Sequence, residues 1–231
     1  MNAIATNIRS IRERVAQAAV SCGRRPEEIV LLAVSKTVPA ESISQAADAG
    51  IFQFGENRVQ EAEGKIAYFR SIRKLEWHLV GHLQTNKSRR AAELFDVIHS
   101  LDSLQLAAKL NQTRLEMGKV LSVLIQVDLA QEETKFGADP EEIRSITEAL
   151  WNFRGLRLDG FMTIPPFTED PERARPYFAR LRQLKETMES EQPGCLGKGH
   201  LSMGMSHDFT QAVREGATIL RIGTAIFGPR L

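Results

Sequence analysis

Cysteine, tyrosine and tryptophan are scarce in this sequence, with two residues of each among 231. Cys22 and Cys195 lie far apart and match no metal-binding or redox spacing, so we expect both to be free thiols in a reducing cytoplasm. Net charge is also nearly absent, because 30 basic side chains offset 29 acidic ones and leave a formal charge of +1. This balance excludes a global attraction to nucleic acid or to an anionic membrane, so an anionic ligand must be bound by local donors.

Long apolar runs are missing too. No window contains the ~20 apolar residues that a membrane span needs, and residues 1–6 lack the basic segment that opens a signal peptide. We therefore expect a soluble, cytoplasmic protein. No Ser/Gly-rich linker or break in composition divides the chain, which predicts a single domain over residues 1–231.

The chain does contain eight short apolar runs that alternate with helical patterns. This alternation over 231 residues predicts an α/β fold, a (β/α)8 barrel of the TIM type, whose usual length is ~250 residues. The alternative is an open doubly wound sheet, but no G-x-G-x-x-G follows an early strand. Ile4, Ile8, Ile11 and Val15 share one face of residues 3–20 and predict an extra N-terminal helix. The predicted strands are Ile29–Ser35, Ile51–Gly55, Leu75–Val80, Phe95–His99, Val120–Val127, Leu156–Met162, His200–Met203 and Thr218–Ile222.

Lys36 directly follows the first predicted strand. Ligands bind at the carboxyl ends of parallel strands, and Asn57, His82 and Thr163 are expected at the same face. One interpretation is a surface lysine that merely follows a strand. The other is an amine that condenses with a carbonyl compound, as Schiff-base lysines do.

Two loops rich in small residues follow the last two strands, at residues 202–206 and 223–228. Barrels commonly bind phosphate between these loops, because small residues let backbone N–H groups approach an anion. A phosphate pocket would then face Lys36. The alternative is that these glycines and serines only close two tight turns.

Arg221 lies within the last predicted strand, and an inward guanidinium requires a partner. That partner is either a ligand heteroatom or a buried carboxylate such as Glu56 or Asp128. His78 and His82 lie four residues apart on a strand and loop rather than on a helix, which favours packing and hydrogen bonding over metal binding.

Six segments together resemble the pyridoxal phosphate homeostasis protein family, which is related to the N-terminal domain of alanine racemase. The resemblance implies a (β/α)8 barrel that binds pyridoxal 5′-phosphate (PLP) as an internal aldimine of Lys36. It further implies that Ser206, Gly223 and Thr224 hold the phosphate, that Arg221 faces the pyridine nitrogen and that Asn57 lines the ring. His82 stands where many relatives carry a proline. The segments are residues 33–37, 54–57, 77–87, 162–165, 201–206 and 221–228.

The resemblance implies a carrier and regulator in vitamin B6 and amino-acid homeostasis, with no established catalytic residues. A PLP racemase needs two bases on opposite faces of the substrate, and the second is typically a tyrosine. Tyr68 and Tyr177 both lie in helical patterns away from the strand ends. The alternatives are a racemase-like enzyme acting on amino acids and, less favoured, a Schiff-base aldolase acting on sugar phosphates. Expected partners are PLP and apo-PLP enzymes, with no nucleic acid or membrane, and the protein is expected to be a monomer.

Overall fold

The computed structural model describes residues 2–130 and 136–229. Eight parallel strands close into a barrel in chain order, and the last strand pairs with the first. The predicted (β/α)8 barrel is therefore confirmed. The strands are β1 (Val30–Val34), β2 (Gln53–Glu56), β3 (Glu76–Leu79), β4 (Val97–Leu101), β5 (Leu121–Gln126), β6 (Leu156–Met162), β7 (His200–Ser202) and β8 (Ile219–Ile222).

Helices surround the barrel, and the N-terminal one is present as predicted. Asn2 caps it by accepting a 3.0 Å hydrogen bond from the Ile4 amide, and its buried face packs against the last two helices. The α-helices are α1 (Ala3–Ser21), α2 (Ala40–Asp48), α3 (Val59–Arg70), α4 (Ser88–Leu94), α5 (Leu104–Glu116), α6 (Ile143–Leu150), α7 (Arg175–Glu191), α8 (Phe209–Arg214) and α9 (Thr224–Phe227). Short 3-10 helices occur at Pro26–Glu28, Thr85–Lys87, Pro140–Glu142 and Pro171–Ala174. Within the described ranges, no helix is both long and apolar enough to cross a membrane.

The fourth βα unit differs from the sequence-based boundaries. Strand β4 starts at Val97 and continues to Leu101, whereas the predicted strand was Phe95–His99. Helix α5 begins only at Leu104, because the Ser103 side chain accepts a hydrogen bond from the Leu106 amide and so caps the helix there. A capping serine thus sets the residue at which this helix begins.

Side chains alternate between the outside and the inside of the barrel along each strand. The outward residues join the large core beneath the helices, and Trp77 and Leu79 belong to that core. A second core fills the barrel interior and is formed by Leu32, Val80, Val97, Leu124, Met162 and Ile219. By the same alternation, His78 points inward between Trp77 and Leu79. The interior of this barrel therefore carries polar groups as well as apolar ones.

Candidate functional site

A cavity of about 790 Å³ opens where the strands end, and its lining brings together all six residues predicted for a PLP site. Lys36 follows β1, Asn57 follows β2, and Arg221 lies on β8. The loops after β7 and β8 contribute the remaining three. These six lining residues are Lys36, Asn57, Ser206, Arg221, Gly223 and Thr224.

The backbone around Lys36 has an unusual conformation. Thr37 has φ 62°, in the left-handed region, which a β-branched residue rarely adopts. Its amide donates to Glu61 Oε1, and its hydroxyl donates to the Lys36 carbonyl over 2.6 Å. Such backbone costs ~1–3 kcal/mol and persists only where neighbouring contacts hold it in place. The segment that presents Lys36 to the cavity is therefore held by its surroundings.

Lys65 on α3 supplies most of that support. Its ammonium donates to the Ser35 carbonyl over 2.6 Å, and to Glu56 Oε1 and Glu61 Oε1 over 2.9 Å each. Ser35 also donates its hydroxyl to Glu56 Oε1 over 2.6 Å. The residues on both sides of Lys36 are thus tied to one cluster, which we call the Lys65 brace and define as Ser35, Thr37, Glu56, Glu61 and Lys65. In the sequence, Glu61 and Lys65 resemble an ordinary surface pair four residues apart on a helix, so sequence reasoning missed the brace.

The two carboxylates of the Lys65 brace differ in their environments. Burial raises the pKa of Glu56 above its usual value, and the hydrogen bonds from Ser35 and Lys65 offset this only in part. Partial burial also acts to raise the pKa of Glu61, but the Thr37 amide and Lys65 outweigh it, so that pKa lies below its usual value. Glu56 was one of two carboxylates considered as a partner for Arg221. That pairing is wrong, because Glu56 lies in the brace outside the barrel wall.

Arg221 is buried and bonded to neutral acceptors. One guanidinium nitrogen donates to the Ser202 carbonyl over 2.6 Å and to the Ser202 hydroxyl over 2.8 Å. The other donates to the Thr163 carbonyl over 2.9 Å. Burial lowers the pKa of Arg221 to about 10, and Asp208 opposes that shift. Thr163, expected at the active face, lies beneath the cavity and acts through its carbonyl.

The loops after β7 and β8 are joined to each other. The Ala225 amide donates to the Ser206 hydroxyl oxygen over 3.2 Å, which links the first turn of α9 to the preceding loop. Gly204 has φ 89°, and a Cβ there would lie 2.5 Å from the Ala212 Cβ. The Met205 amide donates to Asp208 Oδ1 over 2.6 Å. Close packing therefore requires a glycine at position 204. The loop after β7 is held at one end by this packing and at the other by the contact between Ser206 and Ala225.

His82 lies at the rim of the cavity. Its Nδ1 lies 3.2 Å from Asp102 Oδ2, and its ring stacks on Phe136 with a centroid distance of 3.7 Å and an interplanar angle of 10°. Burial raises the pKa of Asp102, and the nearby His82 opposes the shift. Gly81 allows this loop to approach β2, since a Cβ at Gly81 would collide with the Asn57 carbonyl oxygen. No cluster of three or more potential metal ligands occurs in the part of the chain that the structure describes.

Comparisons with known proteins agree with this geometry. A family model described as the N-terminal domain of alanine racemase matches residues 1–230. The chain is 44% identical to the pyridoxal phosphate homeostasis protein of Escherichia coli (strain K12), over 100% of this chain and 98% of the relative. It belongs to the pyridoxal phosphate homeostasis protein family. The family member of Aquifex aeolicus (strain VF5) is 43% identical over 95% of each chain.

A solved structure extends the comparison to three dimensions. PipY of Synechococcus elongatus PCC7942, solved with PLP bound, has a TM-score of 0.87 and 38% identity to this member of the family. The match covers 97% of this chain and 100% of PipY.

The two tyrosines lie where their helical patterns placed them. Tyr68 is on α3 with 54% of its surface exposed, and Tyr177 is on α7. Neither belongs to the lining of the cavity. His82, which was expected at this face because it follows a strand end and which was interpreted as a packing and hydrogen-bonding residue, does line the cavity.

Proposed function

We propose that the cavity binds PLP and that the Lys36 amine forms a covalent imine with the cofactor aldehyde. The observation that carries this proposal is the convergence of Lys36, Arg221 and the Ser206 loop on one cavity in a member of this family. The volume, about 790 Å³, lies within the range of ~300–1,000 Å³ that is common for small-molecule sites. The donors and the amine together match an anionic, aromatic aldehyde.

The phosphate is assigned to the loops after β7 and β8. The Ser206 oxygen already accepts the Ala225 amide, so its own proton can be donated to a phosphate oxygen. Gly223 and Thr224 bring backbone to the same wall of the cavity without a bulky side chain. Hydrogen bonds to charged groups are the stronger ones, which suits a protein whose formal net charge is only +1. Asn57, on the wall contributed by β2, is assigned to the cofactor ring.

Arg221 is assigned to the pyridine nitrogen of the cofactor. Enzymes that use this ring as a strong electron sink place a carboxylate there, which stabilises the protonated nitrogen. A guanidinium only donates hydrogen bonds, so it favours an unprotonated nitrogen and a weaker electron sink. This arrangement supports a carrier and regulator of PLP that acts in vitamin B6 and amino-acid homeostasis, rather than an efficient catalyst. We propose that the protein acts as a monomer and delivers PLP to apo-PLP enzymes.

One observation favours a second candidate, a slow amino-acid proton transfer of the racemase type. His82 lines the same cavity as Lys36 and is oriented by Asp102, which is the arrangement of a general base. The test is exchange of the α-hydrogen of alanine for deuterium in heavy water, with wild-type protein and with His82→Asn. Exchange that disappears in both His82→Asn and Lys36→Ala supports this activity, whereas exchange that is absent in wild type supports the carrier alone.

Borohydride reduction tests the covalent link. The wild-type protein titrated with PLP should show a visible absorption band that reduction removes, and peptide mapping should place the cofactor on the peptide containing Lys36. Lys36→Arg keeps the positive charge but cannot form an imine, so it should show neither result. Lys87→Arg, on the 3-10 helix Thr85–Lys87, is the matched control and should behave as wild type. An adduct found only on another peptide would overturn the assignment.

A further inference from the structure

A line of polar side chains crosses the interior of the barrel beneath the cavity. Arg221 donates to the Ser202 hydroxyl over 2.8 Å, and that hydroxyl lies 2.8 Å from His99 Nδ1. His99 Nε2 lies 2.8 Å from His78 Nδ1, and His78 Nε2 lies 3.5 Å from Glu76 Oε1. These residues come from β8, β7, β4 and β3, so the line passes from one wall of the barrel to the other. It ends at Glu76, at the amino end of β3.

The chemistry of the two ends fixes the direction of the three hydrogen bonds between Arg221 and His78, and the contact of His78 Nε2 with Glu76 Oε1 is a longer, ion-pair contact of 3.5 Å. A guanidinium only donates, so the Ser202 oxygen accepts from Arg221 and its own proton points to His99 Nδ1. A neutral His99 then carries its proton on Nε2 and donates to His78 Nδ1. His78 in turn carries its proton on Nε2, the nitrogen that faces the Glu76 carboxylate. Each group thus donates towards Glu76.

The opposite direction conflicts with two groups. The Ser202 proton would lose its acceptor among the described residues, and a bare His78 nitrogen would face a carboxylate oxygen. Burial also holds the pKa of His99 well below its usual value, so its ring is neutral. The His78 ring holds the pKa of Glu76 below its usual range, which keeps the far end of the line anionic.

We propose that Ser202, His99 and His78 are positioning residues that form a one-directional relay from Arg221 to Glu76 and hold the Arg221 guanidinium against the ligand in the cavity. The part of the proposal that concerns the ligand rests on the proposed function, in which Arg221 donates to the pyridine nitrogen of PLP. The relay gives the guanidinium a fixed acceptor on the side away from the cavity, so that its remaining N–H groups keep one orientation. A rigid donor loses less entropy on binding than a mobile one.

Nuclear magnetic resonance of the protein without cofactor tests the direction of the relay. Histidine tautomers are distinguished by their ring nitrogen shifts, and His78 and His99 should both be neutral rings protonated on Nε2 at neutral pH. His200, also on a barrel strand but bonded to Thr218, gives an internal reference signal assigned through His200→Asn. A His99 ring protonated on Nδ1, or a doubly protonated ring, would overturn the proposed direction.

Cofactor binding tests the positioning role. The probes are PLP and its 1-deaza analogue, in which carbon replaces the pyridine nitrogen. Ser202→Ala and His99→Phe should each weaken PLP binding by about tenfold, the scale of one charge-assisted hydrogen bond, and weaken binding of the analogue by less than about threefold. Ser202→Thr, which keeps the hydroxyl, should restore the preference for PLP. His200→Asn should leave both affinities unchanged.

The outcomes separate the two proposals. Equal losses for PLP and the analogue in folded variants would overturn the positioning role, because a general structural effect does not depend on the ring nitrogen. If Ser202→Ala and His99→Phe fail to fold, His78→Gln gives the same comparison from further along the relay. A wild-type protein that binds no PLP would overturn the proposed function, and the relay would then be judged by the tautomers alone.

Discussion

Replacing Lys65 with methionine should strongly destabilise the protein, although Lys65 does not line the cavity. The ammonium is mostly buried and donates hydrogen bonds to two carboxylates and one carbonyl. One of these carboxylates, Glu56, is completely buried. Breaking a buried ion pair by removing one partner costs ~3–5 kcal/mol, because the other charge is left without compensation. For a protein of this size that corresponds to a fall in melting temperature of roughly 6–20 °C. Circular dichroism during heating or urea titration measures it.

The loss of stability caused by Lys65→Met should be smaller at acidic pH. The pKa of Glu56 is raised in the folded protein, so the folded state keeps this proton to a higher pH than the unfolded chain does. The stability contributed by that proton is lost as pH rises above the ordinary value of 4.5. Loss of Lys65 raises the pKa of Glu56 further. The loss of unfolding free energy caused by Lys65→Met should therefore be larger at pH ~8 than at pH ~5.

Two further variants make the prediction specific to the Lys65 brace. Adding Glu56→Gln to Lys65→Met removes the uncompensated charge and should recover at least ~1 kcal/mol of the loss. Lys185→Met breaks a pair with Glu189, four residues on and 3.8 Å apart on the surface of α7, and should cost ~0.5 kcal/mol or less. The reasoning would be refuted if Lys65→Met lowered the free energy of unfolding no more than Lys185→Met does, or if the loss caused by Lys65→Met did not change with pH.

Three other expectations follow from the site and the barrel interior. Ser206→Ala should weaken PLP binding by about ten- to hundredfold and leave binding of unphosphorylated pyridoxal nearly unchanged, and equal losses in a titration would contradict the phosphate assignment. Gly204→Ala should destabilise the protein by ~2 kcal/mol or more, because φ is 89° and the new methyl group would lie 2.5 Å from the Ala212 Cβ; an unchanged urea midpoint would contradict this. His99 should cause the free energy of unfolding to fall by up to ~1.4 kcal/mol per pH unit below pH 6.5. In this range the unfolded chain binds a proton on His99, whereas the folded protein keeps the ring neutral. Folded His99→Phe should show a shallower decline, and an identical slope would show that another group is responsible.

The sequence allowed the barrel and the cavity lining to be predicted for a clear physical reason. Apolar runs that alternate with helices leave few topologies, and a residue that follows such a run, such as Lys36, must then lie at the ligand-binding face. The family resemblance added roles to those positions. Both the apolar pattern and the family resemblance are read from short segments of sequence. The fold then brings these segments together at the carboxyl ends of the barrel strands.

The Lys65 brace and the relay could not be predicted in this way. Alternation along β3 shows that His78 faces away from Trp77, but it does not reveal that a histidine on β4 lies within hydrogen-bond distance. Likewise, Glu61 and Lys65 form a regular helix pair, whereas their shared contact with buried Glu56 depends on how α3 packs on the barrel. Partners that meet across the barrel or between layers depend on tertiary distances, which a linear pattern does not contain.

The pairing of β1 with β8 also constrains when the site can form during synthesis. Leu32 and Arg221 are neighbours in the sheet, although almost the whole chain separates them, and Asn7 donates to the Ile226 carbonyl over 2.9 Å. Lys36 is therefore made early and stays apart from Thr224 until β8 has emerged from the ribosome and closed the barrel. A contact of such high sequence separation is slow to form. A ligand that needs both residues binds only the closed barrel, so it would stabilise the last step of folding.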